Sequence, residues 1–179
     1  KLLKKLWDLL MIWLKESSVK EIEYIPIEKP MPEPKEVIME EPLNSKLIRI
    51  ADALTKLNID VTPDDKIPDE VACVESLCEV LNKVISFPKL SYKPDLVREL
   101  KKHPRVQGTL DFNEASIIVC ATGSGNGTMR GHCGVVGTNK EIISNNSKTG
   151  IWEYNYTIDS WVARFRNKGG MPILLFKLV

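Results

Sequence analysis

Near residue 105 the hydrophobic period of the chain changes, and that change restricts the fold more than any single motif does. Before it, apolar residues recur at helical spacing. The stretch "NSKLIRIADALTKL" places Leu47, Ile50, Ala51, Leu54 and Leu57 on one helical face, with Asn44 or Ser45 available as an N-cap. "DEVACVESLCEVLNKV", residues 69–84, follows Pro68, which suits a first helical turn, and "KPDLVRELKKHP" is entered at Pro94 and stopped by Pro104. After the change, "ASIIVCA", "HCGVV" and "EIIS" are short β-branched runs divided by Gly, Asn and Thr, the composition of strands and turns. "TIDSWVARFRNKGG" returns to helix and ends near Gly169, and "PILLFKLV" closes the chain as a strand. Helices first and strands after predict an α+β domain whose N-terminal helices pack on a small antiparallel sheet.

Upstream of this domain the sequence changes character twice. "KLLKKLWDLLMIWLK" carries Leu2, Leu3, Leu6, Leu9, Leu10, Trp13 and Leu14 at helical spacing, with Lys4, Lys5, Asp8 and Lys15 toward the other side. This predicts an amphipathic helix over residues 1–16. It suits packing against a partner or the domain, lying on a membrane surface, or a secretion signal; Asp8 and the lack of a small-residue cleavage site count against the last. Residues 17–43 gather Pro26, Pro30, Pro32, Pro34 and Pro42 among glutamates, a composition that cannot sustain a helix and reads as an extended tether. At about 3.1 Å per residue, about 19 such residues span up to roughly 60 Å. The globular domain occupies residues 44–179.

Composition removes several function classes. Lys and Arg number 25 against 24 Asp and Glu, a net charge of +1, so nothing global favours nucleic acid as a partner. The chain has 4 cysteines (Cys73, Cys78, Cys120, Cys133), too sparse for a disulfide scaffold, and no C-x-x-C pair, so free thiols are expected. No apolar run reaches the roughly 18 to 20 residues of a membrane-spanning helix.

The chemistry-bearing residues sort by phase and position. Val74, Leu77, Cys78, Leu81 and Ile85 share one face of the 69–84 helix, which assigns Cys78 to packing. Cys73 lies at the rim of that face and in the first two turns, where unpaired N–H groups and the helix dipole favour a thiolate. Of the two histidines, His103 in "LKKHP" ends a helix and reads as a carbonyl cap or a solvent-facing ring. His132 opens a strand after the glycine-rich "TGSGNGTMRG" and shares a face with Gly134 and Val136, while Cys133 and Val135 take the other. His132 is thus the candidate base for Cys73, and Cys133 is core.

A base is oriented by a polar partner on its far nitrogen. "EIISNNSKTG" supplies Asn145 as first candidate and Asn146 as second, with Glu153 of "IWEYNYT" third; the competing reading has both asparagines making turn hydrogen bonds. The glycine loop lacks the G-K-[ST] of a phosphate cradle. Cys120, His132 and Cys133 are close in sequence, but adjacent strand residues face apart and do not readily share zinc. Asp64, Asp65, Asp69 and Glu70 lack calcium-loop spacing and read as a solvated helix entry. No metal or cofactor is expected.

A cysteine at the start of a helix, a histidine opening a strand in "GHCGVV" and a polar residue on the next strand resemble the papain-like cell-wall hydrolases of the CHAP and NlpC-type families. The residues that carry the resemblance are "IPDEVACVESLCEVLNKV" (67–84) and residues 131–179, from "GHCGVVG" through "SNNSKTGIWEYNYTIDSWVARFRNKGGMPILLFKLV", which look like small phage-borne or prophage-borne peptidoglycan hydrolases. It extends over roughly residues 45–179. The resemblance implies a papain-like fold, Cys73 as nucleophile, His132 as base and Asn145 or Asn146 as the orienting residue. Two positions depart from the commonest pattern: Val74 follows Cys73 where a small polar residue is usual, and Cys133 follows His132 where valine is usual.

The function so implied is a thiol-dependent amidase or endopeptidase that cuts an amide of peptidoglycan through an acyl-enzyme, encoded by a phage and acting from the host cytoplasm or the virion on the bacterial wall. Residues 1–16 and the tether would then anchor the domain to a membrane surface or a virion protein. The rival from another class is a virion or envelope structural module that keeps the fold without the chemistry. A wall-binding domain with Trp152, Tyr154, Tyr156 and Trp161 as a glycan platform is a further alternative, against which helical spacing makes Trp161 core beside Phe165.

Overall fold

Sequence order and sheet order differ in this protein, because its last strand enters the interior of the sheet. The computed structural model describes residues 40–61, 72–120 and 131–179, all within the compact unit Glu40–Val179. The amphipathic stretch 1–16, nearly all of the 17–43 tether, the acidic residues 64–70 and the glycine loop up to Arg130 lie outside the described residues.

Three helices come first: α1 (Leu43–Thr55), α2 (Cys73–Leu81) and α3 (Lys93–Lys102). Strands β1 (Val106–Thr109), β2 (Ile117–Cys120), β3 (Cys133–Val136), β4 (Glu141–Asn145) and β5 (Trp152–Thr157) follow. A short helix α4 (Ile158–Trp161) runs into a π-helical segment, Val162–Lys168, before β6 (Ile173–Leu178). The strands form one 6-stranded sheet in the order β1-β6-β2-β3-β4-β5, antiparallel at every pairing. The α+β class and antiparallel sheet are therefore as the sequence predicts. β1 and β5 are additional. β1 (VQGT) is too short and too polar to show a strand period, and β5 (WEYNYT) alternates aromatic and polar residues beyond a glycine turn.

The sheet is covered on both faces by different parts of the chain. Cys133, Val135, Ile143, Trp152, Ile117, Val119 and Phe176 join α1, α2 and α3 in the larger core. Ile118, Cys120, Val136, Ile142 and Leu175 join Trp161, Phe165 and Met171 in a smaller core on the opposite face. Alternation along each strand produces this division: Cys133 and Val135 face one way, Val136 the other.

Helix α2 is buried nearly all round, since only Glu79 of its 9 residues is less than buried. The amphipathic reading of this segment gives way to a central helix enclosed by α1, α3 and the sheet. Truncating Leu77, which is fully buried, is worth about 2 to 5 kcal/mol of stability. The first turn also differs from expectation. The helix starts at Cys73, with Ala72 as its N-cap, so Cys73 is the first helical residue.

In α1 the buried stripe is Leu47, Ala51 and Leu54, while Leu57 lies past the helix and is 43% exposed. Pro42 occupies the N-cap, without a side-chain cap. Asn44, a candidate cap by sequence, instead ties the helix to the far edge of the domain: its Nδ2 donates to the Glu114 carbonyl (3.1 Å) and its Oδ1 accepts from the Leu178 N–H (3.0 Å). A long-range pairing of this kind leaves no trace in local sequence.

Candidate active site

Cys73 gains its character from the end of α2. As first helical residue it sits among backbone N–H groups that have no intrahelical acceptor, at the positive end of the helix dipole. The side chain is only 4% exposed. The neighbouring Cys133 thiol and His132 ring, with the Lys93 charge, hold its ionisation well below the ordinary thiol range despite the opposing effect of burial. The sequence-predicted pair Cys73 and His132 is therefore brought together.

The other three thiols differ in kind. Burial pushes Cys78 up to about 12, with Glu79 and Glu75 adding to the shift. Cys120 is likewise raised by burial to about 12, and it accepts a hydrogen bond from Trp161 Nε1 at 3.0 Å. Cys133 is driven well above its ordinary value by burial and by the adjacent Cys73. The division that helical phase draws between Cys73 and Cys78 thus reappears as a difference in acidity.

His132 immediately precedes β3 and is half-buried. Its ring stacks on Trp161 (centroids 5.5 Å apart) and Phe165 (6.0 Å), and meets the edge of Tyr156 (5.9 Å). Trp161 and Phe165 are themselves 4.6 Å apart, so the imidazole rests on an aromatic shelf built by α4 and the π-helical segment. Thr157 and Ser160 form a capping box that starts that helix directly after β5. Trp161 and Phe165 are buried, as helical spacing predicts.

The far nitrogen of the ring is held by a residue absent from the sequence-based candidates. His132 Nε2 lies 3.1 Å from Ser144 Oγ. Asn155 Nδ2 donates both to that Oγ (3.0 Å) and to the Ser144 carbonyl (2.7 Å). With Nε2 directed at Ser144, Nδ1 is the nitrogen left to exchange a proton with Cys73. Ser144 reaches the ring because Gly134 lies between them. A Cβ at Gly134 would come 2.9 Å from Ser144 Cβ and 2.5 Å from the Ile143 carbonyl oxygen.

Asn145 and Asn146 are placed differently. Asn146 Nδ2 donates to Glu153 Oε1 (2.5 Å), and its Oδ1 accepts from the Lys148 N–H (2.9 Å). That is the turn role. Asn145 is buried. The β3–β4 register, with Val135 opposite Ile143, continued two residues along both strands sets Asn145 opposite Cys133, on the sheet face that carries α2. Sequence alternation alone pairs Ser144 with Ile142 on the other face, but only the register shows that this is the face of His132.

The remaining sequence candidates are structural. His103 ends α3, its Nε2 2.9 Å from the Ser86 carbonyl and its Nδ1 accepting from the Arg105 N–H at 3.2 Å, with the Phe87 ring tilted against it at 5.7 Å. Trp152 and Trp161 are fully buried in opposite cores, so the four-aromatic glycan platform does not exist; Tyr154 alone among them is an exposed large apolar side chain, at 44%. Among the described residues no cluster of His, Cys, Asp and Glu has the arrangement of a metal site.

A groove of about 580 Å³ lies at the other end of β3, lined by Arg49, Asp52, Val136, Lys140 and Tyr154 among others. It includes none of Cys73, His132 or Ser144. Its charges are largely paired, Arg49 with Glu41 at 2.8 Å and Asp52 with Lys56 at 2.8 Å and with the Tyr154 hydroxyl at 2.5 Å.

Comparison with protein-family models, with curated proteins and with solved structures found no match to this chain.

Proposed function

We propose that this protein is a thiol-dependent amide hydrolase with Cys73 as nucleophile and His132 as base, and that its substrate is peptidoglycan. The observation that carries the reading is the meeting of an acidified helix-N-terminal cysteine with a histidine whose other nitrogen is engaged by Ser144. A low-pKa thiol beside an oriented imidazole is the arrangement required for attack on a carbonyl at neutral pH. The peptidoglycan assignment rests on the resemblance to papain-like CHAP and NlpC-type hydrolases.

In this mechanism His132 takes or already holds the Cys73 proton. The thiolate adds to the amide carbonyl, and the oxyanion is met by the Cys73 backbone N–H at the start of α2. His132 then protonates the leaving amine, which departs and leaves a thioester on Cys73. Water, deprotonated by His132, releases the acid and restores the thiol. The Ser144 contact keeps Nδ1 aimed at sulfur through both half-reactions, and the Trp161 and Phe165 rings fix the plane of the imidazole.

The test is a wall-hydrolysis assay on the full chain. Purified protein, Cys73→Ala and His132→Ala are each incubated with bacterial walls while newly released amino groups are counted. Release by the parent protein and none by either variant supports the hydrolase. Equal release by all three, or sedimentation with walls without any release, sinks the cysteine mechanism and favours a structural or wall-binding module.

A further inference from the structure

Cys133 is the thiol beside the nucleophile for which the mechanism above has no use. It is the first residue of β3 and fully buried. Its Sγ donates to the carbonyl oxygen of Cys73 at 3.1 Å, and the same thiol favours the ionised form of Cys73. Strand alternation explains the reach: Cys133 faces α2 while the preceding His132 turns to the aromatic shelf. One dipeptide thereby supplies a base from one face of the sheet and a neutral donor from the other.

We propose that Cys133 is a positioning residue for the nucleophile, whose S–H clamps the first turn of α2 through the Cys73 carbonyl and so holds the Cys73 sulfur toward His132. The inference rests on the thiol-hydrolase reading and adds a component to its site. A donor that keeps its own proton is needed for such a clamp, and burial beside Cys73 keeps Cys133 in the thiol form. The other titratable groups acting on the pair are His132 ahead of β3, Lys93 at the start of α3 and Cys78 further along α2. An apolar side chain at position 133 would fill the space but offer the Cys73 carbonyl no hydrogen bond.

The experiment follows the rate at which iodoacetamide alkylates Cys73, read by peptide mass spectrometry as a function of pH, in the full chain and in Cys133→Val, Cys133→Ala and Cys133→Ser. Loss of the carbonyl clamp, which lets the Cys73 sulfur move away from His132, is expected to raise the midpoint for Val and Ala by about one pH unit or more. Serine, which retains a donor, is expected to stay close to the parent. Valine adds bulk and alanine removes it, so a packing defect would separate these two variants while the lost donor moves them together; near-UV circular dichroism establishes that each is folded. A folded Val or Ala variant with the parent's midpoint, or a Ser variant shifted as far as Val, overturns the clamp. Wall cleavage measured alongside keeps the two readings apart. A shifted midpoint in a protein that cleaves no wall sinks the hydrolase and leaves the clamp, whereas cleavage with an unshifted midpoint does the reverse.

Discussion

Ser144 Oγ lies 3.1 Å from His132 Nε2 and is itself hydrogen-bonded by Asn155 Nδ2 at 3.0 Å. The imidazole is therefore oriented from β4, by a hydroxyl rather than by a carboxamide, and the hydroxyl is in turn fixed from β5. Ser144→Ala is expected to lower kcat by about 10- to 100-fold, the rate equivalent of one hydrogen bond to an ionisable group. Asn145→Ala, on the opposite face, should spare the His132 orientation and lower stability first. Parallel kinetics and denaturation of the two variants decide; a larger kcat loss in Asn145→Ala than in Ser144→Ala would return the orienting role to the asparagine.

Thiol reactivity should be confined to one position at neutral pH. Cys73 is held below the ordinary thiol range by Cys133 and His132, whereas Cys78 and Cys120 are pushed up to about 12. A small alkylating reagent at pH 7 is thus expected to label Cys73 before any other cysteine, with His132→Ala slowing that labelling. Peptide mass spectrometry after partial reaction reads the order directly. Labelling of Cys78 ahead of Cys73 would contradict the acidity assigned to each.

The same buried thiols set an alkaline limit on the fold. Cys78 and Cys120 ionise near 9.0 when unfolded but only near 12 in the native chain, so above pH 9 the unfolded state sheds protons that the native state keeps. Stability is therefore full below about pH 9 and declines as pH rises toward about 12. Cys73 has the opposite sign, adding stability above the ordinary thiol range that is lost as pH falls through its lowered native value. Cys78→Ala should retain wall cleavage, cost about 1 to 2 kcal/mol near pH 7 as a small core cavity, and decline less steeply in urea melts between pH 8 and 10. An unchanged slope would mean that Cys78 does not carry this proton.

Gly134 is tightly enclosed beside the site. Its missing Cβ would come 2.5 Å from the Ile143 carbonyl oxygen and 2.9 Å from Ser144 Cβ, distances that force β3 and β4 apart. Gly134→Ala is expected to destabilise the protein by about 1 to 3 kcal/mol. It should also lower kcat in the fraction that still folds, because Ser144 moves away from His132. Retention of both stability and activity would show that the strand pair accommodates the methyl group.

The aromatic shelf gives a separate handle. Trp161 is fully buried, 4.6 Å from Phe165 and 5.5 Å from His132. Trp161→Ala should cost about 3 to 5 kcal/mol of stability, while Phe165→Leu, which keeps most of the volume, should cost less than about 1.5 kcal/mol. Thermal or urea unfolding gives both values, and a Trp161→Ala variant as stable as the parent would contradict the packing described for the second core.

Local sequence was enough to separate Cys73 from Cys78 by helical position, to place His103 at the end of a helix, and to set helices before an antiparallel sheet. Each of these depends on periodicity, helix position or proline placement, all of which act within a few residues of the chain. The orienting hydroxyl of Ser144, the Cys133 contact to Cys73 and the aromatic shelf under His132 depend instead on which strand lies beside which and in what register. "EIISNN" read alone puts the two asparagines forward, Asn145 first, and gives no sign that the serine before them is the residue that reaches the ring. The register of β3 against β4, with the space left by Gly134, settles which one meets the imidazole, because a shift of one residue would turn every side chain to the other face. The rim position inferred for Cys73 gave way to near-complete burial for a related reason: a helical wheel records the phase of a helix but not how many neighbours enclose it, and α2 is enclosed by two helices and the sheet.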